Sequence, residues 1–210
     1  MKPSTSVRTG PGRPSARRAW LAAALSLLLA APATWAQTPA NAKSTLVRLK
    51  TSLGDIVLQI DGAKAPVTAA NFIQYVQSGQ YDGTIFHRVI GSFMIQGGGF
   101  DANMQERPTR APIRLEAGNG LRNTRGTIAM ARTRDPDSAS AQFFINVVDN
   151  PNLDAPNPDG HGYAVFGRVV QGMEVVDRIR SVQTGSRGVY RDVPLRPVII
   201  HKALIERPAP

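Results

Sequence analysis

The sequence contains no cysteine, and this absence excludes several classes of protein at once. Without thiols there is no disulfide framework, no catalytic cysteine and no thiolate metal site. A lipid-modified cysteine cannot anchor the chain to a membrane either. The protein must therefore be stabilised by its hydrophobic core.

Histidine is also scarce, and the three histidines are His87, His161 and His201. They form no i, i+4 pair, which argues against a zinc site. The segment Asp135–Ser138 lacks the spaced oxygen ligands and the terminal Glu of a calcium loop, so it is interpreted as a turn. We expect neither a metal nor a cofactor.

The first 36 residues have the three-part pattern of a secretory signal peptide. Their basic residues are Lys2, Arg8, Arg13, Arg17 and Arg18, and they include no acid. An apolar run over 19–31 follows, and the small residues Thr34 and Ala36 form a cleavage site before Gln37. The sequence predicts a signal peptide over residues 1–36 and a disordered spacer over 37–44.

Two other interpretations of this leader are less favoured. A transmembrane anchor needs roughly 20 apolar residues, and the uninterrupted run before Pro32 is shorter than that. Arg17 and Arg18 resemble a twin-arginine export signal only loosely, so general secretion is preferred. The prediction is a periplasmic protein without a stable membrane anchor, from a bacterium that we expect to be Gram-negative.

Charge gives little sign of a nucleic-acid partner. The chain has 25 Lys and Arg against 15 Asp and Glu, but five of the basic residues belong to the leader. The 20 that are left are dispersed rather than clustered, whereas nucleic-acid binding needs a concentrated basic surface. We expect no nucleic-acid partner and a monomeric protein.

The remaining chain predicts a domain over residues 45–207 made mostly of short strands. Alternation over 45–50 and 56–60 indicates a hairpin that turns around 51–54, and Pro66 with Gly79 brackets a helix. Gly172–Ile179 has the spacing of a second helix. The other predicted strands are Thr84–Ile90, Met94–Gly97, Ile113–Glu116, Thr127–Ala131, Gln142–Val147, Tyr163–Val169 and Pro197–Ile205. Many short strands with few helices favour a closed or sandwiched β core.

Two segments concentrate side chains that can hold a peptide. Residues 86–98 bring together Arg88, Phe93, Met94 and Gln96, and residues 142–145 add an amide beside aromatic rings. Ser92 is the only hydroxyl residue in the two segments, and neither segment contains a thiol or a pair of carboxylates. Taken singly, the phenylalanines would be core residues, Arg88 a surface charge and Gly97–Gly99 a loop.

Both segments resemble the signature segments of the cyclophilins, which are peptidyl-prolyl cis-trans isomerases. The resemblance runs from about Leu46 to Ile205, with both segments in the family's order and near its spacing. It implies a mainly β fold, an eight-stranded antiparallel closed β-barrel capped by two α-helices. It also implies an enzyme that needs no cofactor and acts on proline-containing polypeptides.

The resemblance implies roles for nine residues. It implies that Arg88, Phe93 and Gln96 are catalytic. The residues implied to bind substrate are Met94, Ala131, Gln142, Phe144, Leu153 and Tyr163. Many family members have His at the position of Tyr163, and the tyrosine hydroxyl can still donate a hydrogen bond. His87 would point away from Arg88 on a regular strand, so we expect a structural role for it.

One position departs from the family. Cyclosporin-sensitive cyclophilins carry a Trp before a Leu-Asp pair, and the matching residue here is Asn152. The resemblance therefore implies weak inhibition by cyclosporin.

Two other functions compete with the isomerase. One is a chaperone-like module that binds Pro-containing segments with little turnover, and the other is a barrel with no site. An intact Arg88, Phe93, Gln96 and Phe144 favours the enzyme.

Overall fold

The computed structural model describes residues 44–206. The signal peptide predicted over 1–36 and residues 37–43 of the predicted spacer lie outside the described residues. So does residue 207, the last of the predicted domain. Within 44–206, no helix has both the length and the apolar character needed to cross a bilayer.

Ten strands and two helices make up the described chain. The strands are β1 (Thr45–Thr51), β2 (Gly54–Ile60), β3 (Thr84–Ile90), β4 (Met94–Asp101), β5 (Thr127–Met130), β6 (Phe143–Asn146), β7 (Val165–Gln171), β8 (Thr184–Arg187), β9 (Tyr190–Pro194) and β10 (Ile199–Glu206). The helices are α1 (Pro66–Gln77) and α2 (Met173–Arg180), and a single 3₁₀ turn covers Pro151–Leu153.

Eight of the strands close into an antiparallel barrel, in the order β1, β10, β3, β4, β6, β5, β7, β2. The hairpin of β1 and β2 pairs Thr45 with Ile60 and Thr51 with Gly54. The fold class predicted from the sequence, a mainly β closed barrel with two helices, is confirmed. Strands β8 and β9 form a separate two-stranded sheet.

The barrel interior is filled by alternate residues of each strand. On β2, Ile56, Leu58 and Ile60 are all buried, as the period of two requires. Phe72 of α1 contacts the rings of Tyr81 and Phe166, each with its centroid 5.1 Å away. Complete burial of such a side chain stabilises the fold by about 1.5–3 kcal/mol.

The two helices lie at opposite ends of the barrel. Helix α2 packs beside the β1–β2 turn, where a Cβ on Gly54 would stand 2.9 Å from a methyl group of Val175. Helix α1 follows the far end of β2, and Asn71 donates a hydrogen bond to the Ser140 carbonyl, just before β6. Because α2 lies at the start of β2 and α1 at its end, the two helices cover different ends of the barrel.

The prediction of a strand over Ile113–Glu116 is wrong. Only Ile113 forms a bridge, to Ala139. Glu116 instead accepts hydrogen bonds from the backbone N–H groups of Val67 (3.1 Å) and Thr68 (2.9 Å). These are free donors in the first turn of α1, and a carboxylate there is favourable. The segment is held by capping a distant helix rather than by strand pairing.

The loop expected at Gly97–Gly99 is also wrong, because all three glycines belong to β4. The hairpin of β8 and β9 was not foreseen. Its strands bury only Val193 and Pro194, so they give no run of alternating apolar residues.

Candidate active site

A row of side chains crosses the outer surface of the barrel. Arg88 on β3 lies opposite Gln96 on β4, and Gln96 lies opposite Phe144 on β6. Phe144 in turn faces Ala129 on β5. Pairing across four strands therefore brings together residues that are far apart in the sequence.

This row is separate from the barrel core. The neighbours Ile95, Phe143 and Ile145 point into the barrel and belong to its main apolar cluster. The buried residues of the outer cluster are Met94, Ala129, Phe144 and Val165, with Phe93, Ala131, Leu153 and Tyr163 among the residues packed against them. The phenylalanines of the two signature segments therefore divide between the core and an external apolar patch.

A cavity of about 110 Å³ opens at this patch. It is lined by Arg88, Phe93, Met94, Gln96, Ala131, Arg132, Phe144, Leu153 and Tyr163. Eight of the nine residues proposed from the sequence are thus brought together. The ninth, Gln142, reaches the cavity through Gln96, whose Nε2 donates to Gln142 Oε1 at 2.9 Å. The volume lies well below the 300–1,000 Å³ of pockets for drug-sized ligands, so a single small group fits best.

A β-bulge determines which side chain of β3 faces the cavity. Phe86 pairs with Gly97 and Arg88 pairs with Gln96, so His87 is an extra residue without a partner in the register. Regular alternation would turn Arg88 to the same side as the buried Phe86. The bulge turns it outward, with 43% of its side chain exposed.

His87 lies behind the site, where it is only 5% exposed. Its ring packs on Phe100, with the centroids 4.7 Å apart. Its Nδ1 is buried without a hydrogen-bond partner among the described residues. Burial, assisted by the charge of Arg88, lowers the pKa of His87 from 6.5 to about 4, while hydrogen bonding to Gln142 and Ile85 opposes the shift. The imidazole is therefore neutral near pH 7.

Glycine allows Gln142 to lie close to β4. A Cβ on Gly99 would stand 2.6 Å from Cδ of Gln142, so even an alanine would displace that amide. Gly98 has φ +85°, which other residues rarely adopt, and a Cβ there would meet Tyr81 and Phe143. The glycines expected to form a loop instead bring the strand against the site.

Sequence reasoning missed one cavity residue, Arg132. Its side chain is only 1% exposed and forms an ion pair with Asp159 at 2.8 Å. The guanidinium also donates to the Gly162 carbonyl and lies 4.5 Å from the centre of the Tyr163 ring. The hydrogen bond from Arg132 to the Asp159 carboxylate lowers the pKa of Asp159 to about 2. No local pattern marks Arg132, because Asp159 and Gly162, which hold its guanidinium at the cavity, lie 27 and 30 residues away along the chain.

A network of buried amides supports the walls of the cavity. Asn150 donates from Nδ2 to the Phe93 carbonyl at 2.9 Å and to Asn146 Oδ1 at 2.7 Å. Asn123 donates to Asp154 Oδ1 from its backbone and its side chain. The turn that carries Phe93 and the segment that follows Leu153 are thereby held by one set of hydrogen bonds.

Asn152 itself is exposed, whereas its neighbour Leu153 lines the cavity. The aromatic rings at the cavity are Phe93, Phe144 and Tyr163. Tyr163 meets Phe144 edge to face, with the centroids 5.7 Å apart. Residue 152 therefore contributes no aromatic side chain to the lining of the cavity.

A larger cavity lies elsewhere, on the surface of β2, β5 and β7. It measures about 650 Å³, and its lining includes Gln59, Arg122 and Arg168. No aromatic side chain lines it among the described residues. This cavity is the larger of the two, but the aromatic and apolar side chains that suit a small apolar ring line the cavity beside Arg88.

Comparison with known proteins identifies the family of the chain and agrees with the barrel. Residues 46–205 match the family described as cyclophilin type peptidyl-prolyl cis-trans isomerase/CLD. The chain is 60% identical over 161 residues to a peptidyl-prolyl cis-trans isomerase of Streptomyces antibioticus, covering 76% of this chain and 97% of that protein. Peptidyl-prolyl cis-trans isomerase B of Escherichia coli K12 is 53% identical over 162 residues, covering 76% of this chain and 99% of the relative.

A solved structure is similar as well. A cyclophilin type peptidyl-prolyl cis-trans isomerase from Cryptosporidium parvum aligns with a TM-score of 0.65 and 25% identity, covering 79% of this chain and 99% of the other. Fold and cavity together define a closed β-barrel protein with a small cavity whose lining combines apolar side chains with Arg88. The chain belongs to the cyclophilin-type peptidyl-prolyl cis-trans isomerases and is an enzyme that accelerates rotation about Xaa-Pro bonds.

Proposed function

We propose that this isomerase acts in the periplasm on exported proteins as they fold, and that the reaction takes place in the cavity beside Arg88. The proposed location of the reaction is supported by one observation, which is that a cation and apolar side chains line the same small cavity. The half-exposed side chain of Arg88 lines the same cavity as the buried apolar side chains of Met94 and Phe144.

Prolyl rotation requires no bond to be broken. The peptide bond resists rotation with a barrier of about 18–20 kcal/mol, because the nitrogen lone pair is conjugated with the carbonyl. In the twisted state the lone pair leaves conjugation and becomes basic. A donor directed at that nitrogen or at the nearby prolyl carbonyl stabilises the twisted state selectively. Arg88 supplies such a donor and stays protonated at any relevant pH.

The apolar side chains would hold the proline ring and remove water from the amide. Phe93, Met94 and Phe144 form the side of the cavity suited to the ring. Because a twisted amide is less charge-separated than a planar one, a less polar surrounding favours it. Leu153 and Tyr163 would complete the lining of the cavity.

The remaining polar residues would hold the peptide backbone in place. Gln96 lies directly across from Arg88, and its amide is fixed by Gln142. Ala131 has a short side chain, which leaves room for an extended peptide. A module that binds Pro-segments without turnover is not favoured, because Arg88 is intact and the relatives at 53–60% identity are named isomerases.

The periplasmic location is supported by the leader alone. Mass spectrometry of the mature protein, recovered from the periplasmic fraction of its native host, should give a chain that begins at or near Gln37. We expect this form to be monomeric. A mature protein that retains Met1, or that is found only in the cytoplasm, would contradict this part of the proposal.

The location of the site can be tested by nuclear magnetic resonance. Titration with a short Ala-Pro peptide should shift the backbone amides of Arg88, Gln96, Ala131 and Phe144. The amides of Gln59, Arg122 and Arg168 around the larger cavity serve as the internal control and should not move. Shifts confined to the control residues would show that the peptide binds the larger cavity and would contradict the proposed site.

A further inference from the structure

The hairpin of β8 and β9 is the part of the fold that the proposed reaction leaves without a role. It is fixed beside β3 and β4. Tyr190 packs on Phe100 with centroids 5.1 Å apart, and Phe100 packs on His87. Arg187 Nη1 donates to the Ala102 carbonyl at 2.8 Å. The hairpin is thus tied to the strands that carry the site.

Asp192 on this hairpin stands next to Arg88. Its Oδ2 lies 4.0 Å from Arg88 Nε, and 43% of each side chain is exposed. Asp192 is the only acid in residues 178–205. Its φ of +59° is a left-handed conformation that Asp and Asn tolerate better than most residues. A strained backbone therefore presents a single carboxylate to the proposed catalytic cation.

The contact meets a physical need of the site. Two guanidinium groups, Arg88 and Arg132, line the same small cavity and repel each other. Arg132 is held by Asp159 at 2.8 Å. Arg88 has a long, half-exposed side chain, so without a counter-charge it would turn toward solvent. A carboxylate on the Nε side attracts the group while leaving both terminal nitrogens free to donate.

We propose that Asp192 is a positioning residue, which orients the Arg88 guanidinium toward the substrate. This inference rests on the catalytic role proposed for Arg88. The separation of 4.0 Å corresponds to an ion pair rather than a direct hydrogen bond. Asp192 therefore biases the orientation of Arg88 without fixing it, and it contributes to turnover rather than to substrate affinity.

Two variants isolate the charge from the backbone. Asp192→Asn keeps the size and the tolerance of a positive φ, while Asp192→Gly removes the side chain and the backbone strain. In a protease-coupled isomerisation assay, each should lower kcat roughly two- to fivefold, the range that an exposed ion pair allows, with KM nearly unchanged. The loss should shrink as salt is added.

Asp55→Asn is the matched control. Asp55 also forms an exposed Arg–Asp pair, at 3.1 Å from Arg48 and with 44% of its side chain exposed, on strands away from the cavity. This variant should leave kcat unchanged. Unchanged activity in both Asp192 variants, or an equal loss in Asp55→Asn, would overturn the proposal.

A double-mutant cycle with Arg88→Ala separates this inference from the proposed function. Asp192→Asn should cost nothing further once Arg88 is absent, because its effect passes through that side chain. The same loss in both backgrounds would show a structural role and reject the positioning. If Arg88→Ala alone keeps full activity, the catalytic assignment fails and the inference falls with it.

Discussion

Gln96 and Gln142 are joined by a side-chain hydrogen bond of 2.9 Å, in which Nε2 of Gln96 donates to Oε1 of Gln142. Gln96 lines the cavity and faces Arg88 across the strand pair. Gln142 lies just before β6 and covers Gly99. The two amides thus connect the face of the cavity to the backbone behind it, which fixes the direction of the Gln96 side chain.

Gln142→Leu should therefore impair catalysis while leaving the barrel folded. The substitution leaves the Gln96 donor without its partner, and a hydrogen bond of this kind contributes about 1 kcal/mol. We expect kcat/KM to fall roughly fivefold in the coupled assay. Gln59→Leu, which removes a half-buried amide on β2 outside the cavity, is the control and should retain full activity.

Gly99→Ala should reproduce this loss by a different route. Its new Cβ would displace the Gln142 amide, which is the end of a flexible side chain, so the free energy of unfolding should change little. A Gly99→Ala protein with an unchanged kcat/KM would show that the position of Gln142 is unimportant.

His87 should make stability depend on pH. Its pKa is about 4 in the folded protein against 6.5 in the unfolded chain, so the unfolded state binds the proton first as pH falls. The stabilisation is complete above about pH 6.5 and is lost as pH falls toward 4, by at most about 1.4 kcal/mol per pH unit. Denaturant unfolding should show a smaller decline for His87→Leu than for the unaltered protein.

His201→Gln removes an exposed histidine and is the control, with the same decline as the unaltered protein. Identical pH profiles for His87→Leu and the unaltered protein would reject the buried neutral imidazole. Because His87 is neutral throughout, the isomerisation rate should be nearly flat between about pH 6 and 8.

Cyclosporin should inhibit this enzyme weakly. Asn152 is exposed and offers no apolar wall, so a bulky apolar inhibitor loses contact area on that side. A small prolyl peptide depends on the cavity beside Arg88 rather than on residue 152, so it should be turned over normally. Asn152→Trp should tighten inhibition when both proteins are titrated in the same assay. Tight inhibition of the unaltered protein, or no gain from the Trp, would reject this role of residue 152.

The barrel could be predicted from the sequence because its strands carry their own signals. The hairpin of β1 and β2, both helices and the apolar face of β2 follow from periodicity and from Pro66 and Gly79. The resemblance added the closure of the barrel and the set of cavity residues. What it could not give were features that arise from contacts between distant segments.

Three such features decide the geometry of the site. The bulge at His87 depends on the register between β3 and β4, which no single segment encodes. Arg132 is held by Asp159 in a loop whose path is not repetitive. The β8–β9 hairpin buries too little apolar surface to show a pattern, so Asp192 could not be associated with Arg88. Each of these three features can be recognised only after the fold is known.

The central claim is that the guanidinium of Arg88 stabilises the twisted amide, and Arg88→Ala tests it most directly. Arg168→Ala, which removes an exposed arginine from β7 outside the cavity, is the matched control. In the protease-coupled assay on an Xaa-Pro peptide, Arg88→Ala should lose about 10²–10³ in kcat/KM, as expected for one oriented donor. Its circular dichroism and the activity of Arg168→Ala should both match the unaltered protein. Full activity of a folded Arg88→Ala protein would contradict the account.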